Sequence, residues 1–268
     1  MAASDLVQDF LDGLTVAPAG NDTFTGTTPE WHGPEVLFGG VIVGQATSAV
    51  VQTVDDDRLL HSIHGHFLRP VRVGTPTELR VERVRDGRTF TTRRVDLLQE
   101  GKLTFTLMAS FHTGGDGVPY EEPMPGAVPQ PDSLPVDDNE WEGPFEFREV
   151  GATESGEGGY RASTMRQWFR LASPGPDAPL ANAVVLAYAT DMTRTSGRPH
   201  RLEGDVAGMI SLDHAVWFHR PVRADEWLLF DVHALVSTAG RTLIRGTMRT
   251  RDGELAVSMA QEMVILIP

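Results

Sequence analysis

The sequence predicts an α+β fold made of two similar units, each an antiparallel sheet wrapped around one central helix. Residues 67–72 (Phe-Leu-Arg-Pro-Val-Arg) return 151 residues later as residues 218–223 (Phe-His-Arg-Pro-Val-Arg). The turns at Gly87 and Gly101 return at nearly the same interval, at Gly240 and Gly253. A period this long indicates duplication of a whole domain rather than a solenoid or propeller repeat. In each copy one helical segment precedes a run of strands, which disfavours a parallel α/β sheet.

The chain length suits two units of ordinary size, since 268 residues exceed what one small domain needs. We predict an N-terminal unit over residues 1–113, a proline-rich linker over 114–142 and a C-terminal unit over 143–268. The linker holds six prolines, many acidic residues and no Lys or Arg. Because proline lacks a backbone donor and cannot continue a helix or a ladder, we expect the linker to cross between the units in an extended form.

The first unit is predicted to contain one buried helix followed by four strands. Gly39 and Gly40 open a stretch of small and apolar residues that has no internal breaker, which predicts a helix over residues 41–54. Thr, Val and Phe dominate the segments that follow, as is typical of strands, and glycine-containing corners separate them. The predicted strands cover residues 59–71, 78–85, 89–98 and 102–112.

The second unit repeats this order. A strand over residues 165–171 is predicted to precede a helix over 179–192. Four further strands are predicted over residues 209–222, 227–236, 241–249 and 255–267. The glycine-rich segment at 153–159 is predicted to be a loop.

Composition and charge exclude several classes of function. A formal net charge of −14 argues against nucleic acid as a partner, because nucleic-acid binding depends on clustered Lys and Arg. The two short basic clusters, residues 80–88 and 93–94, are expected to form a solvated strand edge. The chain has no cysteine, which rules out disulfides and thiolate chemistry. It has no apolar run long enough to span a membrane and no secretory signal, so we predict a cytoplasmic location and no membrane partner.

Several long motifs resemble those of the type II (TesB-like) acyl-CoA thioesterases. In the first unit these are residues 38–46 (Phe-Gly-Gly-Val-Ile-Val-Gly-Gln-Ala) and 61–70 (His-Ser-Ile-His-Gly-His-Phe-Leu-Arg-Pro). In the second unit they are residues 187–191 (Ala-Tyr-Ala-Thr-Asp), 212–221 (Leu-Asp-His-Ala-Val-Trp-Phe-His-Arg-Pro), 225–229 (Asp-Glu-Trp-Leu-Leu) and 261–262 (Gln-Glu). The resemblance covers nearly the whole chain outside the linker.

The resemblance implies a double hotdog fold, with two helix-in-sheet units whose sheets form one continuous platform. It implies hydrolysis of acyl-CoA to a free fatty acid and CoA, with no metal and no organic cofactor. Matched motif by motif, the residues that would bind and activate a water are Asp191, Ser211 and Gln261. Position 211 differs from the usual pattern of the family, in which Thr is commoner than Ser; the hydroxyl group is kept. Hotdog sheets are expected to expose long open edges, which proteins must cover, so we predict a homo-oligomer. The resemblance also implies one, a dimer or tetramer of double hotdogs.

These three side chains suit thioester hydrolysis. Asp191 can take a proton from the attacking water, and burial near an apolar acyl tunnel would raise its pKa and make it a stronger base. Ser211 and Gln261 can hold the water at a fixed angle of attack. Backbone N–H groups at a helix N-terminus, such as those of Gly39 and Gly40, are the expected partners of the oxyanion.

Other candidate sites have weaker support. The residues His61, His64 and His66 are expected to alternate between the faces of a strand, which does not favour a metal site. Hydrogen bonding in a dimer interface accounts for His61 more simply than contact with substrate. Asp213 and His214 are neighbours on a strand and should face opposite sides, so structural roles are expected for both. The glycines at 39–44 lack the Lys that a P-loop requires, and a Gly-x-Ser-x-Gly nucleophile motif is absent.

Two other functions stay open at the level of the sequence. One is an enoyl-CoA hydratase, which would require a His about five residues from the Asp on the helix, whereas the next His after Asp191 is His200. The other is a non-catalytic acyl-CoA-binding module, which would have no need to retain all three polar side chains. Turnover of an acyl-CoA distinguishes the thioesterase from both.

Overall fold

The first half of the chain contains the predicted helix and four strands, preceded by a helix and a hairpin that were not predicted. The computed structural model describes residues 2–31, 35–124, 126–136, 143–151, 153–155, 162–193 and 208–266. The elements of the first half are α1 (Ala3–Leu14), β1 (Ala17–Gly20), β2 (Thr23–Gly26), α2 (Gly39–Val51), β3 (Leu59–Phe67), β4 (Thr77–Asp86), β5 (Phe90–Gln99) and β6 (Lys102–His112).

Helix α1 is amphipathic and was missed. Its buried residues Val7, Phe10 and Leu14 recur at the three- to four-residue spacing of one helix face. Two predicted boundaries in this half were also wrong. Helix α2 ends at Val51 rather than at residue 54, and β3 ends at Phe67 rather than at residue 71. Beyond Phe67 the backbone leaves the ladder, because Pro70 cannot donate to it.

The second half follows the predicted order, but it begins with a strand over residues 145–149 that was not predicted and differs in three further ways. Its elements are β7 (Phe145–Glu149), β8 (Thr153–Ser155), β9 (Ala162–Leu171), α3 (Pro179–Ala189), β10 (Gly208–Ser211), β11 (Asp213–Phe218), β12 (Leu228–Thr238), β13 (Arg241–Thr250) and β14 (Leu255–Leu266). Residues 153–155 of the predicted loop pair with β9, and 156–159 lie outside the described residues. The predicted strand over 209–222 is two strands, and α3 ends three residues earlier than predicted.

All named strands join one antiparallel sheet. The order along the main path is β1-β2-β4-β5-β6-β3-β11-β14-β13-β12-β9-β7, with β10 on β14 and β8 on β9. The two halves meet where β3 pairs with β11, from His66 opposite Asp213 to Ser62 opposite Trp217. The predicted α+β double hotdog is therefore confirmed, with one platform formed from both sheets.

The break between β10 and β11 is a β-bulge. From the pair Ser211↔Met263 to the pair Ala215↔Ala260, the chain of β10 and β11 advances four residues while β14 advances three. One extra residue on a strand reverses the alternation of side chains beyond it. Side chains that face the interior therefore lie at odd positions before Leu212 and at even positions after it.

The first half has a bulge at the equivalent place. From the pair Leu60↔Phe111 to the pair His64↔Met108, β3 advances four residues while β6 advances three. These pairs lie 151 residues (for β3) and 152 residues (for β6) before their counterparts in the second half. The duplication inferred from the sequence therefore extends to the strand register and to this irregularity.

Helices α2 and α3 pack directly against each other. A Cβ atom on Gly40 would lie 2.8 Å from the backbone oxygen of Tyr188 on α3. Only glycine allows this approach without moving backbone. Nearly every residue of α2 from Gly40 to Val50 is buried, which confirms the prediction of a buried helix.

The expectation of a solvated basic edge is wrong for Arg93. Its side chain is buried, with 1% of the residue exposed. The guanidinium donates to Thr53 Oγ1, to the backbone oxygens of Thr53, Arg85 and Thr92, and to a carboxylate oxygen of Asp86. Five donors therefore meet five acceptors, so Arg93 ties the end of α2 to the sheet.

The described part of the linker lies on the second half of the chain. Between β6 and β7 its one helical turn is a 3₁₀ helix (Pro131–Ser133). Val128 packs with Trp168 and Trp227, and the Trp168 indole donates to the backbone oxygen of Pro129. An ion pair joins Glu121 to Arg220. The linker therefore covers the outer side of β9 and β12.

Candidate active site

Asp191 lies just past the end of α3, where it is buried. Its backbone N–H donates to the oxygen of Tyr188, which closes the last turn. The carboxylate meets the N-terminus of α2, because Gly40 donates a backbone hydrogen bond to it and a Cβ on Gly39 would lie 2.7 Å from Asp191 Oδ2. An Asp from the second half is thus held by a helix end from the first half.

Gln261 links the other two residues that the resemblance singled out. It lies on β14 with 1% of the residue exposed. Its Nε2 atom donates to Asp191 Oδ1 (2.7 Å) and to Ser211 Oγ (2.7 Å). The structure therefore brings together three residues that are up to 70 positions apart in the sequence.

Ser211 owes its position to the bulge. It is the last residue of β10 and pairs with Met263, which is buried. Opposite residues of an antiparallel pair share a face, so Ser211 also points to the interior. Its hydroxyl lies beside the Gln261 amide without being completely buried.

Burial raises the pKa of Asp191 to about 7, because a carboxylate that is removed from water loses its solvation. The hydrogen bonds from Gln261 and from the Gly40 N–H act in the opposite direction, since they stabilise the ionised form. The positive end of the α2 dipole has the same sign of effect. The result is a carboxyl group that gains and loses its proton near neutral pH.

One of the two expected oxyanion donors, the Gly40 N–H, has a different partner in the structure. Gly39 and Gly40 were expected to present free N–H groups to the substrate, whereas Gly40 donates to Asp191. The glycines are required all the same, because a side chain at Gly39 would contact the Asp191 carboxylate. This helix end therefore serves the base directly.

Two polar side chains beside the site were not selected from the sequence. His214 has 2% of the residue exposed, and its Nε2 lies 2.7 Å from Thr190 Oγ1. Burial lowers the pKa of His214 to about 4, and the adjacent Gln261 offsets part of that shift. Thr190 immediately precedes Asp191. Only the bulge places His214 on the same face as Ser211, and a bulge leaves no distinct signal in this sequence.

Asp213 and His214 face opposite sides of the sheet, as predicted. Asp213 Oδ1 accepts a hydrogen bond from the Glu262 backbone N–H at 2.9 Å, while the His214 side chain is buried under α3. The role of Asp213 is therefore structural. His214, in contrast, lies in the hydrogen-bonded group around Asp191.

The three histidines of β3 do not converge. His64 and His66 are exposed, and His64 contacts the ring of Trp217. His61 is half-buried at the bulge, where its Nε2 lies 2.8 Å from Ser110 Oγ. Burial and the neighbouring His112 lower the pKa of His61.

The duplicated half provides an internal comparison for the site. The strand register places Leu60, Ile63 and Ala109 at the positions that correspond to Ser211, His214 and Gln261. All three are buried. A cavity of about 90 Å³ remains there, lined in part by Leu60 and by the first residues of α3. The two halves therefore share the framework, but the hydrogen-bonded polar group lies in only one of them.

Comparisons with known proteins agree with this architecture. Residues 27–112 match the family model of the acyl-CoA thioesterase N-terminal domain, and residues 121–265 match that of the C-terminal domain. Acyl-coenzyme A thioesterase 8 of Homo sapiens is 32% identical over 95% of this chain and 88% of its own length. Acyl-CoA thioesterase 2 of Haemophilus influenzae is 29% identical over 98% of both.

A solved structure shows the same likeness in three dimensions. The acyl-CoA thioesterase II TesB2 from Mycobacterium marinum is 34% identical, covers 96% of this chain and 98% of its own, and has a TM-score of 0.83. Within the described residues, none of the helices combines the length and apolar character needed to cross a membrane. Two family models that together span most of the chain, and relatives above 30% identity over nearly its full length, place this chain in the type II (TesB-like) acyl-CoA thioesterase family.

Proposed function

We propose that this acyl-CoA thioesterase hydrolyses its substrate by direct attack of a water that Asp191, Ser211 and Gln261 bind and activate. The observation that carries the proposal is the pair of hydrogen bonds from Gln261 Nε2 to the other two side chains. These bonds hold a carboxylate, a hydroxyl and an amide together at the junction of the two halves, which supports the proposal. None of the three is a nucleophile activated by a neighbouring base, which favours water over a covalent intermediate.

The chemical steps follow from these groups. The water oxygen bonds to the thioester carbonyl carbon while Asp191 accepts a proton from the water. The carbonyl oxygen takes the negative charge of the tetrahedral intermediate. The carbon–sulfur bond then breaks, the carbonyl re-forms as a carboxylic acid, and the proton held by Asp191 passes to the sulfur of CoA. Ser211 and Gln261 orient the water during the first step.

The pKa of about 7 suits Asp191 to both proton transfers. A carboxylate with an ordinary pKa near 4 is a weak base, because it binds a proton poorly at neutral pH. A general base is most effective when its pKa is close to the operating pH. Burial at the end of α3 therefore prepares Asp191 both to accept the proton and to release it to the leaving thiolate.

The rate should depend on pH in a way that identifies this base. Only the ionised form of Asp191 can accept a proton, so kcat/KM should rise about tenfold per pH unit at low pH and level off above about pH 7. CoA release from a panel of saturated acyl-CoAs, detected with Ellman's reagent, measures it without background, because the protein has no cysteine. No release from any thioester would contradict the thioesterase assignment and favour the binding module. A pH-independent rate would remove Asp191 as the base.

The proposed division of the chain has residues 1–113 and 143–268 as two units, joined by a linker over 114–142. The packing of the linker against Trp168 and Trp227 supports its assignment as a distinct segment. The C-terminal family match begins at residue 121, inside this linker, which agrees with its contacts to the second half. The cytoplasmic location stays a prediction.

A homo-oligomer is also proposed, although not for the reason given by the sequence. Long open sheet edges were expected, whereas β3 and β11 cover each other and the end strands β1 and β7 have only four and five residues. The support comes instead from apolar side chains on the outer face, where Trp217 and Met108 flank His64. Light scattering should give two or four times the mass of the chain, and Trp217→Lys should lower it. A monomer would contradict the proposal.

A further inference from the structure

We propose that His214 is a positioning residue for thioester hydrolysis, and that it holds the Gln261 amide in register with Asp191 and Ser211. The inference rests on the proposed function above and extends it to a side chain that contacts no reacting atom in that mechanism. Four features of the molecule support it. They are the aliphatic residue at the equivalent position of the first half, the bulge, the hydrogen bond to Thr190 and the absence of charge on the ring.

The duplicated half shows that the fold does not need a histidine at this place. The equivalent of His214 is Ile63, which is completely buried and packs in the core of the first half. Burying an imidazole costs more free energy than burying an aliphatic side chain of similar size. The second half therefore carries a polar ring at a position where the same framework accepts a hydrocarbon. Ser211 and Gln261 show the same contrast with Leu60 and Ala109.

The bulge matters for His214 as much as for Ser211. Without the extra residue at the β10–β11 junction, positions 211 and 214 would face opposite sides of the sheet. With it, both side chains face the interior beside β14. The bulge thus brings His214 opposite Gln261 on β14, because the register that runs through the pair Ala215↔Ala260 continues to that position.

The ring is anchored by a defined hydrogen-bond chain. Thr190 Oγ1 lies 2.7 Å from the Ala187 backbone oxygen and 2.7 Å from His214 Nε2. Because the carbonyl of Ala187 can only accept, the single hydroxyl hydrogen of Thr190 goes to it. Nε2 of His214 must then carry the hydrogen and donate to Thr190. The ring is therefore fixed to the residue that directly precedes the base.

The anchored ring forms one side of the space around the Gln261 amide. Gln261 uses both Nε2 hydrogens, one on Asp191 Oδ1 and one on Ser211 Oγ. Rotation of the amide would turn its oxygen towards the Asp191 carboxylate and remove the donor that stabilises the ionised base. A rigid neighbour tied to the Asp191 segment opposes that rotation. His214 therefore acts on the base through Gln261.

Position rather than charge accounts for the effect of His214. Burial keeps the imidazole neutral, because its pKa falls to about 4. Asp191 and His214 both interact with the Gln261 side chain, so Asp191 is the titratable group that a charge on the ring would affect first. Tyr188, one turn before Asp191 on α3, has its pKa raised by burial and by Asp191. A cationic ring here would lower the pKa of Asp191 and weaken the base. A neutral ring avoids this.

The test replaces His214 with the residue of the other half. His214→Ile should lower kcat by about tenfold or more and change KM less than threefold. It should also move the acidic limb of the rate profile to higher pH, because a displaced Gln261 no longer stabilises ionised Asp191. His214→Gln, which can still donate to Thr190, should recover part of the rate. Ile63→Leu is the matched control in the first half and should leave both kcat and the pH limb unchanged.

Each outcome is distinguishable from failure of the proposed function. If the unmodified protein releases no CoA from any acyl-CoA, the thioesterase proposal itself fails. If it is active and His214→Ile retains its kcat and pH limb, His214 has no positioning role. A loss of rate with a large fall in melting temperature and no shift of the pH limb would show a purely structural role and would also overturn the inference.

Discussion

Asp191→Asn is expected to lower kcat for acyl-CoA hydrolysis by about 100-fold or more, the range in which general-base catalysis contributes. The asparagine keeps the shape of the side chain, but only its one amide oxygen can still accept a hydrogen bond, from Gln261 or from the Gly40 N–H. It cannot take a proton from water. The loss should therefore appear in kcat with little change in KM, because the groups that bind the substrate stay in place. The acidic limb of the rate profile should disappear with the carboxylate.

The control for this variant is another partly buried carboxylate in the same half. Asp225 accepts hydrogen bonds from the Gly175 N–H and from Arg223, away from the Gln261 group. Asp225→Asn should leave kcat within a few-fold of the unmodified enzyme, whatever it does to stability. If Asp191→Asn retained turnover and pH dependence, the protein would remain a thioesterase whose base lies elsewhere.

Asp191→Asn is also expected to be more stable than the unmodified protein at alkaline pH. Folding raises the pKa of Asp191 from 3.8 to about 7, so the folded protein holds a proton that the unfolded chain has released. Stability from this group is complete below about pH 4 and is lost as the pH rises through about 7. A pKa difference of one between the folded and unfolded states corresponds to about 1.4 kcal/mol, so ionising the buried carboxyl costs up to about 4 kcal/mol. Asparagine does not incur this cost.

Melting temperatures of the two proteins at pH 5 and pH 8 measure this prediction. The difference in favour of Asp191→Asn should grow by several degrees between the two pH values. The hydrogen bonds from Gln261 and Gly40 are already included in the pKa of about 7, so the growth reflects their effect together with that of burial. A difference that stays constant would mean that the pKa of Asp191 is not raised in the folded protein. Asp191→Asn would then lose activity without gaining stability at high pH.

The sequence predicted the site residues because each lies in a distinctive motif. Asp191 ends a Tyr-Ala-Thr-Asp segment, Ser211 precedes Leu-Asp-His, and Gln261 precedes Glu262. Their convergence could not be derived from spacing, since Gln261 and Asp191 are 70 residues apart. Their catalytic roles stay predictions. His214 was considered with Asp213 and given a structural role, because neighbours on a strand face opposite sides. That it shares a face with Ser211 depends on the bulge. Thr190 was not selected, because its contact with His214 joins segments 24 residues apart.

The sequence by itself determined the duplication, the two buried helices, most of the strands and the α+β class. These features depend on local patterns of apolar residues and on turns that recur at one interval, and such patterns survive in a single chain. The prediction from sequence was wrong where contacts with distant residues overrode a local rule. Arg93 is buried because acceptors of Thr53, Arg85 and Asp86, which are 7 to 40 residues away in sequence, satisfy most of its donors. The local sequence around Arg93 does not indicate these contacts.

Only the tertiary structure decided how the halves combine. The pairing of β3 with β11 and the bulge before Asp213 bring the end of α3 to the start of α2 and to β14. The pKa of Asp191 is a property of that junction, because it reflects burial there and hydrogen bonds supplied by both halves. Desolvation and hydrogen bonding between distant segments depend on packing, and for that reason the chemistry of the site followed from the fold rather than from the order of its residues.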